Sequence, residues 1–191
     1  FEHLETVDCM GAAAAADFRL SVQLVARTPE GGRGYMGQIA SGRVRPGDQI
    51  SVPTWNRTAR VTRLISVDGD VSEAQAGDSV TLALDTELDI ARGDLLCGSG
   101  GAPLLSFGLQ AELVCLHESG VVKGRRYLLK NGAKTTTATI KAVGPREAFA
   151  GGADDAGEGV LGLNDIGPAT LVCLEKLAFD PFSVNRDTGS F

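Results

Sequence analysis

The residues of this chain that can do chemistry fall into a few short constellations. Gly32-Arg33-Gly34-Tyr35-Met36-Gly37 satisfies G-x-G-x-x-G. That motif binds a dinucleotide only when a strand precedes it and a helix follows, so that the helix N-terminus meets the pyrophosphate. Here a β-patterned run and a Gly42 turn follow, so the glycines are read as the lead-in to a strand. Asp154-Asp155-Ala156-Gly157 satisfies D-x-x-G. No G-x-x-x-x-G-K-[ST] loop accompanies it to hold a β-phosphate, and no N-K-x-D to read guanine. The aspartates therefore read as a solvated acidic loop. His3 and His117 adjoin no nucleophile with a supporting motif. The carboxylates of Asp68 and Asp70, and of Glu87 and Asp89, sit among turn residues and read as turn and solubilising groups.

Cys9, Cys97, Cys115 and Cys173 form no C-x-x-C pair, which gives neither a zinc nor a redox signal. Cys115 and Cys173 lie in the apolar runs Leu113–Leu116 and Leu171–Leu174 and read as buried thiols. The one cluster that suits a macromolecular partner is Lys123-Gly124-Arg125-Arg126-Tyr127, with Lys130 and Lys134 nearby. On a strand, Arg125, Tyr127 and Leu129 face one way while Arg126, Leu128 and Lys130 face the other. Arg125, Arg126 and Lys130 are the candidate partner-binding residues. Trp55, in the Pro53–Arg57 turn region, reads equally as an exposed anchor or as a cap on the barrel.

The elements that position these groups are short strands. Phe18, Leu20, Val22 and Leu24 alternate with Arg19, Ser21 and Gln23, the period of a half-buried strand. Strands are predicted over 35–41, 49–52, 58–67, 79–84 and 94–97, separated by turns such as Pro46-Gly47, Asp68-Gly69-Asp70, Ala76-Gly77-Asp78 and Arg92-Gly93-Asp94. Twenty-five glycines in 191 residues, well above the usual share of about 7%, fit so many turns. After Gly98–Pro103 the pattern restarts over 107–116, 125–130, 135–143, 160–163 and 169–174, with Asn131-Gly132 as a hairpin turn. The expectation is an all-β chain of two tandem small barrels. Residues 1–16 are read as a helix end and linker, 17–97 as the first barrel, 98–104 as a linker and 105–191 as the second barrel, with 148–159 a loop. A net charge of −6 and 5% aromatics weigh against a nucleic-acid surface, and no membrane-spanning apolar run or secretory signal is visible. The setting expected for free thiols without a leader is the cytoplasm.

The hairpin Arg33-Gly34-Tyr35…Ile39-Ala40-Ser41-Gly42…Arg45-Pro46-Gly47-Asp48 resembles that of the second domain of translation-factor-type GTPases. Glu2–Val7, Asp68-Gly69-Asp70, Ala76–Leu82 and Asp89–Asp94 extend the likeness. Gly124–Lys130, Leu163–Gly167, Phe179-Asp180-Pro181-Phe182 and Asn185-Arg186-Asp187-Thr188-Gly189-Ser190-Phe191 make it specific. With these segments the chain resembles the second and third domains of the large, GTPase subunit of bacterial sulfate adenylyltransferases. The resemblance implies that GTP and magnesium belong to a G domain outside these residues and that this part is not catalytic. It also implies that the partners are that G domain and a small catalytic subunit that makes adenylyl sulfate from ATP and sulfate. Some members continue into an adenylyl-sulfate kinase. The alternative expectation is a tRNA-binding barrel pair of an elongation-type GTPase, and Phe191 reads as a point where a final strand is cut short.

Overall fold

The computed structural model describes residues 16–28, 31–145 and 159–191. The helix end read into 1–16, apart from Ala16, and the Asp154–Gly157 motif lie outside the described residues. By contacts the chain forms two units. The first takes the residues up to Leu105 together with Lys130–Lys134 and Ala178–Phe191, and the second takes Ser106–Leu129 and Thr135–Leu177. The sequence reading, which gave 98–104 to a linker and 105–191 to one barrel, follows turn composition. Contacts group Lys130–Lys134 and the last fourteen residues, Ala178–Phe191, with the first unit.

The first unit is built from β1 (Arg19–Ser21), β2 (Leu24–Arg27), β3 (Arg33–Ser41), β4 (Arg43–Val44), β5 (Gln49–Val52), β6 (Arg57–Ser66), β7 (Gly69–Asp70), β8 (Ala74–Gln75), β9 (Ser79–Leu84) and β10 (Leu95–Cys97). Among the described residues, β1, β10, β5, β6, β9 and β3 follow one another around a sheet that closes where β3 pairs with β1. Closure removes the free edges that an open sheet of such short strands would expose. Alternation supplies the filling: Leu20, Val22, Tyr35, Ile39, Ile50, Val52, Val61, Leu64, Leu82 and Leu96 point inward and are almost wholly buried. Gly37 is required by the closure itself. A Cβ there would stand 2.5 Å from the Ser21 carbonyl oxygen and 2.8 Å from Leu20 Cδ2.

One turn is used repeatedly, and it explains many of the aspartates. In Arg45–Asp48, Gln75–Asp78 and Ala91–Asp94 the third residue is a glycine with φ between +92° and +98°. The closing aspartate accepts the backbone N–H of the first residue through Oδ2 at 2.8–2.9 Å. Its own N–H returns to the first residue's carbonyl at 3.0–3.1 Å. Gly162–Asp165 in the second unit repeats the pattern with Asn164, φ +67°, in the glycine's place. These carboxylates are thus occupied in holding turns, a local side-chain bond typical of aspartate.

Mostly within the second unit lie β11 (Leu104–Val114), β12 (Val121–Val122), β13 (Arg126–Asn131), β14 (Lys134–Val143), β15 (Val160–Leu161) and β16 (Ile166–Phe179). Four of them form a sheet in the order β11-β16-β14-β13, and β12 pairs with β15. Leu109, Leu129, Ala138, Ile140, Leu171 and Cys173 are buried on its inner face. Among the described residues the fold is all-β apart from a 3-10 turn at Pro53–Trp55 and one helical turn, α1 (Arg186–Gly189). The last strand is longer than the period over 169–174 predicts, because Gly167 and Leu177 continue its buried row at both ends.

Candidate functional site

The basic strand of the second unit is set by a fixed turn. Gly124, φ +84°, donates its N–H to Ile140 O at 2.8 Å, and Arg125 O accepts from Ile140 N at 3.1 Å. Arg125 therefore leaves the turn with its backbone already locked into the sheet. Its guanidinium lies 5.6 Å from the centre of the Tyr127 ring, within cation–π range. The Tyr127 hydroxyl accepts from Val122 N at 3.0 Å and donates to Gly120 O at 3.3 Å, which holds the ring in place. Arg126, Leu128 and Lys130 are exposed, while Tyr127 is partly and Leu129 fully buried. The alternation predicted for this strand is the one observed. The three cations do not form one cluster: Arg126 and Lys130 are four residues apart on an extended strand, roughly 13 Å. Lys130 is counted with the first unit.

Other chemically capable groups are committed elsewhere. Ser119 Oγ stands 2.9 Å from His117 Nδ1, a serine–histidine approach that the sequence reading did not anticipate. The same nitrogen accepts the Ser119 backbone N–H at 3.1 Å, so its lone pair is already used and the pair closes an exposed turn. Trp55 is exposed, and its Nε1–H donates to Asp94 Oδ2 at 3.1 Å. Cys97, Cys115 and Cys173 are buried free thiols, and burial pushes the Cys97 thiol up to about 12. Among the described residues no three His, Cys, Asp or Glu are grouped to hold a metal ion, and no helix is long and apolar enough to cross a membrane.

The residues that sequence reasoning missed form a ring of bonds in the first unit. Arg19, placed on the polar side of its strand by alternation, is only 3% exposed. It donates to both carboxylate oxygens of Asp180, from Nε at 2.9 Å and Nη2 at 3.0 Å, and also to Gly101 O at 2.7 Å. Thr188 Oγ1 donates to the same carboxylate at 2.7 Å. Asn185 caps α1 by accepting from Thr188 N and Asp187 N, and its amide donates to Ser41 Oγ at 2.8 Å. Ser41 Oγ donates to Asp17 O, and Asp17 Oδ2 accepts from Gly101 N, which closes the ring. Burial works to lower the Arg19 pKa, but the bonded Asp180 carboxylate, together with Cys97 and Asp17 nearby, outweighs it and the net direction is up. The Gly98–Pro103 stretch is thereby pinned to β1, and Asn185, Thr188 and Gly189 gain a structural reason. A Cβ on Gly189 would stand 2.6 Å from Phe182 Cα.

Residues 108–191 match the family described as GTP-eEF1A C-terminal domain-like. Sulfate adenylyltransferase subunit 1 of Methylorubrum extorquens (strain PA1) is 39% identical over 98% of this chain, and that of Rhizobium tropici 36% identical over 94%. Along nearly its whole length the chain is similar to part of sulfate adenylyltransferase subunit 1. The bifunctional enzyme NodQ of Rhizobium sp. (strain N33) is 36% identical over 100% of the chain. The chain spans only 29–40% of the length of these relatives. In structure it is similar to sup35 complexed with GMPPNP, with a TM-score of 0.83 at 14% identity, over 98% of this chain and 46% of that one. That likeness establishes the fold, a translation-factor β architecture, and the sulfate adenylyltransferase likeness read from the sequence stands.

Proposed function

We propose that this chain is the non-catalytic β portion of the GTPase subunit of a cytoplasmic sulfate adenylyltransferase. In this role it docks the small catalytic subunit and carries the nucleotide state of a G domain to it. One observation carries the reading: 36–39% identity to subunit 1 sequences along nearly the whole chain. A protein named as subunit 1 works with at least one other subunit, and Arg125, Arg126 and Lys130 supply exposed cations for that contact. Coupling between a nucleotide site and a docking surface typically amounts to about 1–3 kcal/mol.

The residues present do not fit GTP. The sequence has no phosphate-binding G-x-x-x-x-G-K-[ST] loop and no N-K-x-D, so no nucleotide step is derived for this chain. The acidic charge of −6 counts against the tRNA-binding alternative, because phosphate neutralisation relies on Lys and Arg. The test is turnover. Purified chain is expected to release no phosphate from GTP and to form no adenylyl sulfate from ATP and sulfate, alone or with GTP added. Turnover of either substrate that co-purifies with the chain through a second chromatographic step contradicts the reading.

A further inference from the structure

The outward face of the four-stranded sheet has an arrangement that narrows what it can hold. The inner face is set by Leu129, Ala138, Ile140, Leu171 and Cys173, so Arg126, Leu128, Thr139, Val172 and Leu174 face outward. Thr139 stands opposite Val172 in the β14–β16 register. The Ile140 N–H to Arg125 O bond, continued along β13 and β14, sets Arg126 beside Thr139 and Leu128 beside Thr137. Two rows thus cross the sheet: Arg126–Thr139–Val172, and Leu128–Thr137–Leu174. Leu128 is 79% and Leu174 76% exposed, separated by a small threonine. Two strand spacings put them roughly 10 Å apart, with a shallow trough between.

The charges at the ends of this trough are of one sign. β13 and β16 run parallel, since each is antiparallel to β14. Arg126 therefore lies before Leu128, and Lys176 beyond Leu174, at opposite corners of the apolar pair. Lys176 Nζ stands 5.7 Å from the centre of the exposed Phe107 ring on β11. Lys141 is exposed on β14. Glu112 on β11 is exposed as well, and it lies in the hollow with Pro168 and Thr170, at the end of the sheet away from Lys176. A chain with net charge −6 has gathered cations around its exposed leucines here.

We infer that this face is the docking surface for an acidic, aliphatic segment of a protein partner: two aliphatic side chains flanked by carboxylates, one carboxylate meeting Arg126 and one meeting Lys176. The partner takes this chemistry because apolar contact at the centre and opposite charge at the corners satisfy both features at once. A phosphate backbone would meet Arg126 and Lys176 but leave Leu128 and Leu174 against charge. The inference rests on the reading of the chain as a docking module and adds which face is used and what it recognises.

The experiment is a calorimetric titration of the purified chain with the small sulfate adenylyltransferase subunit, using Leu128→Asp, Leu174→Asp, Arg126→Glu and Lys176→Glu, with Val67→Asp on a fully exposed hairpin tip as control. All five positions are substantially exposed or carry charged side chains, so unchanged melting curves are expected. Each leucine variant should bind at least ~10-fold more weakly, as for central contacts of an interface. Each charge reversal should weaken binding about 3–10-fold and flatten its dependence on salt, while the Val67 variant binds as the parent chain does. Binding by every variant at the parent affinity overturns the assignment of this face and leaves the docking reading intact. Absence of binding by the parent chain overturns both, as does saturable binding of tRNA that the charge reversals abolish.

Discussion

Asp180→Ala should be the most damaging single change in the first unit. The Arg19 guanidinium is buried, and four donated hydrogen bonds account for it: two to Asp180, one to Gly101 O and one to Phe18 O. Removing the carboxylate leaves a cation that is 3% exposed without its counter-ion, and leaves the Thr188 hydroxyl without its acceptor. Breaking a buried pair from one side costs about 3–5 kcal/mol, because desolvation of the remaining charge is no longer offset. A small domain has only about 5–15 kcal/mol in total, so roughly a fifth or more of the stability is at stake. In urea, with an m-value of about 2 kcal/mol/M, the midpoint should fall by roughly 1.5–2.5 M. The double change Arg19→Met with Asp180→Leu removes both charges and should recover most of that loss, since an apolar pair of similar volume is close to neutral. Urea denaturation followed by Trp55 fluorescence measures both. A loss below about 1 kcal/mol for Asp180→Ala, or a double variant no better than the single one, refutes the account of the latch.

Gly37→Ala should destabilise by at least about 2 kcal/mol, because its Cβ would meet the Ser21 carbonyl oxygen at 2.5 Å in a closed barrel with little room to yield. Gly47→Ala, where φ is +98° and nothing lies within 4 Å, should cost only about 1–2 kcal/mol of backbone strain; denaturant midpoints compare the two. Cys97 should resist a thiol reagent at pH 8 until the chain unfolds, since its thiol is buried and pushed up to about 12. The unfolded thiol loses its proton first as the pH rises, near 8.5–9, so the stabilising contribution is complete below that pH. It should be lost between about pH 9 and 12 at up to about 1.4 kcal/mol per pH unit, and Cys97→Ala should flatten that slope.

Much of the fold was legible because strands and turns leave local marks. The period of two located β3, β5, β6, β9, β13 and β14 within one to two residues at most ends. The Gly-Asp turns were visible because a positive φ calls for glycine and the aspartate closes the loop onto its own backbone. What escaped depends on contacts between distant residues. Nothing near Arg19 in sequence shows that a strand's outward arginine is covered by Asp180, 161 residues later. Similarly, Asn185, Thr188 and Gly189 were legible as a family motif, while their task of holding the C-terminal segment to β1 and β3 emerged only from the bonds. The orientation of Arg125 and Arg126 was given by strand alternation. The surrounding apolar face was not, because Leu174 comes from a strand far along the chain.

The central claim, that this chain is a docking module of a sulfate adenylyltransferase, is tested most directly by calorimetric titration into the small catalytic subunit, with tRNA titrated under the same salt. The account predicts saturable binding to the subunit that does not change when GTP is added, and no heat with tRNA beyond dilution. Saturable, salt-dependent binding of tRNA with none to the subunit would contradict it and move the chain to the translation-factor branch of its fold.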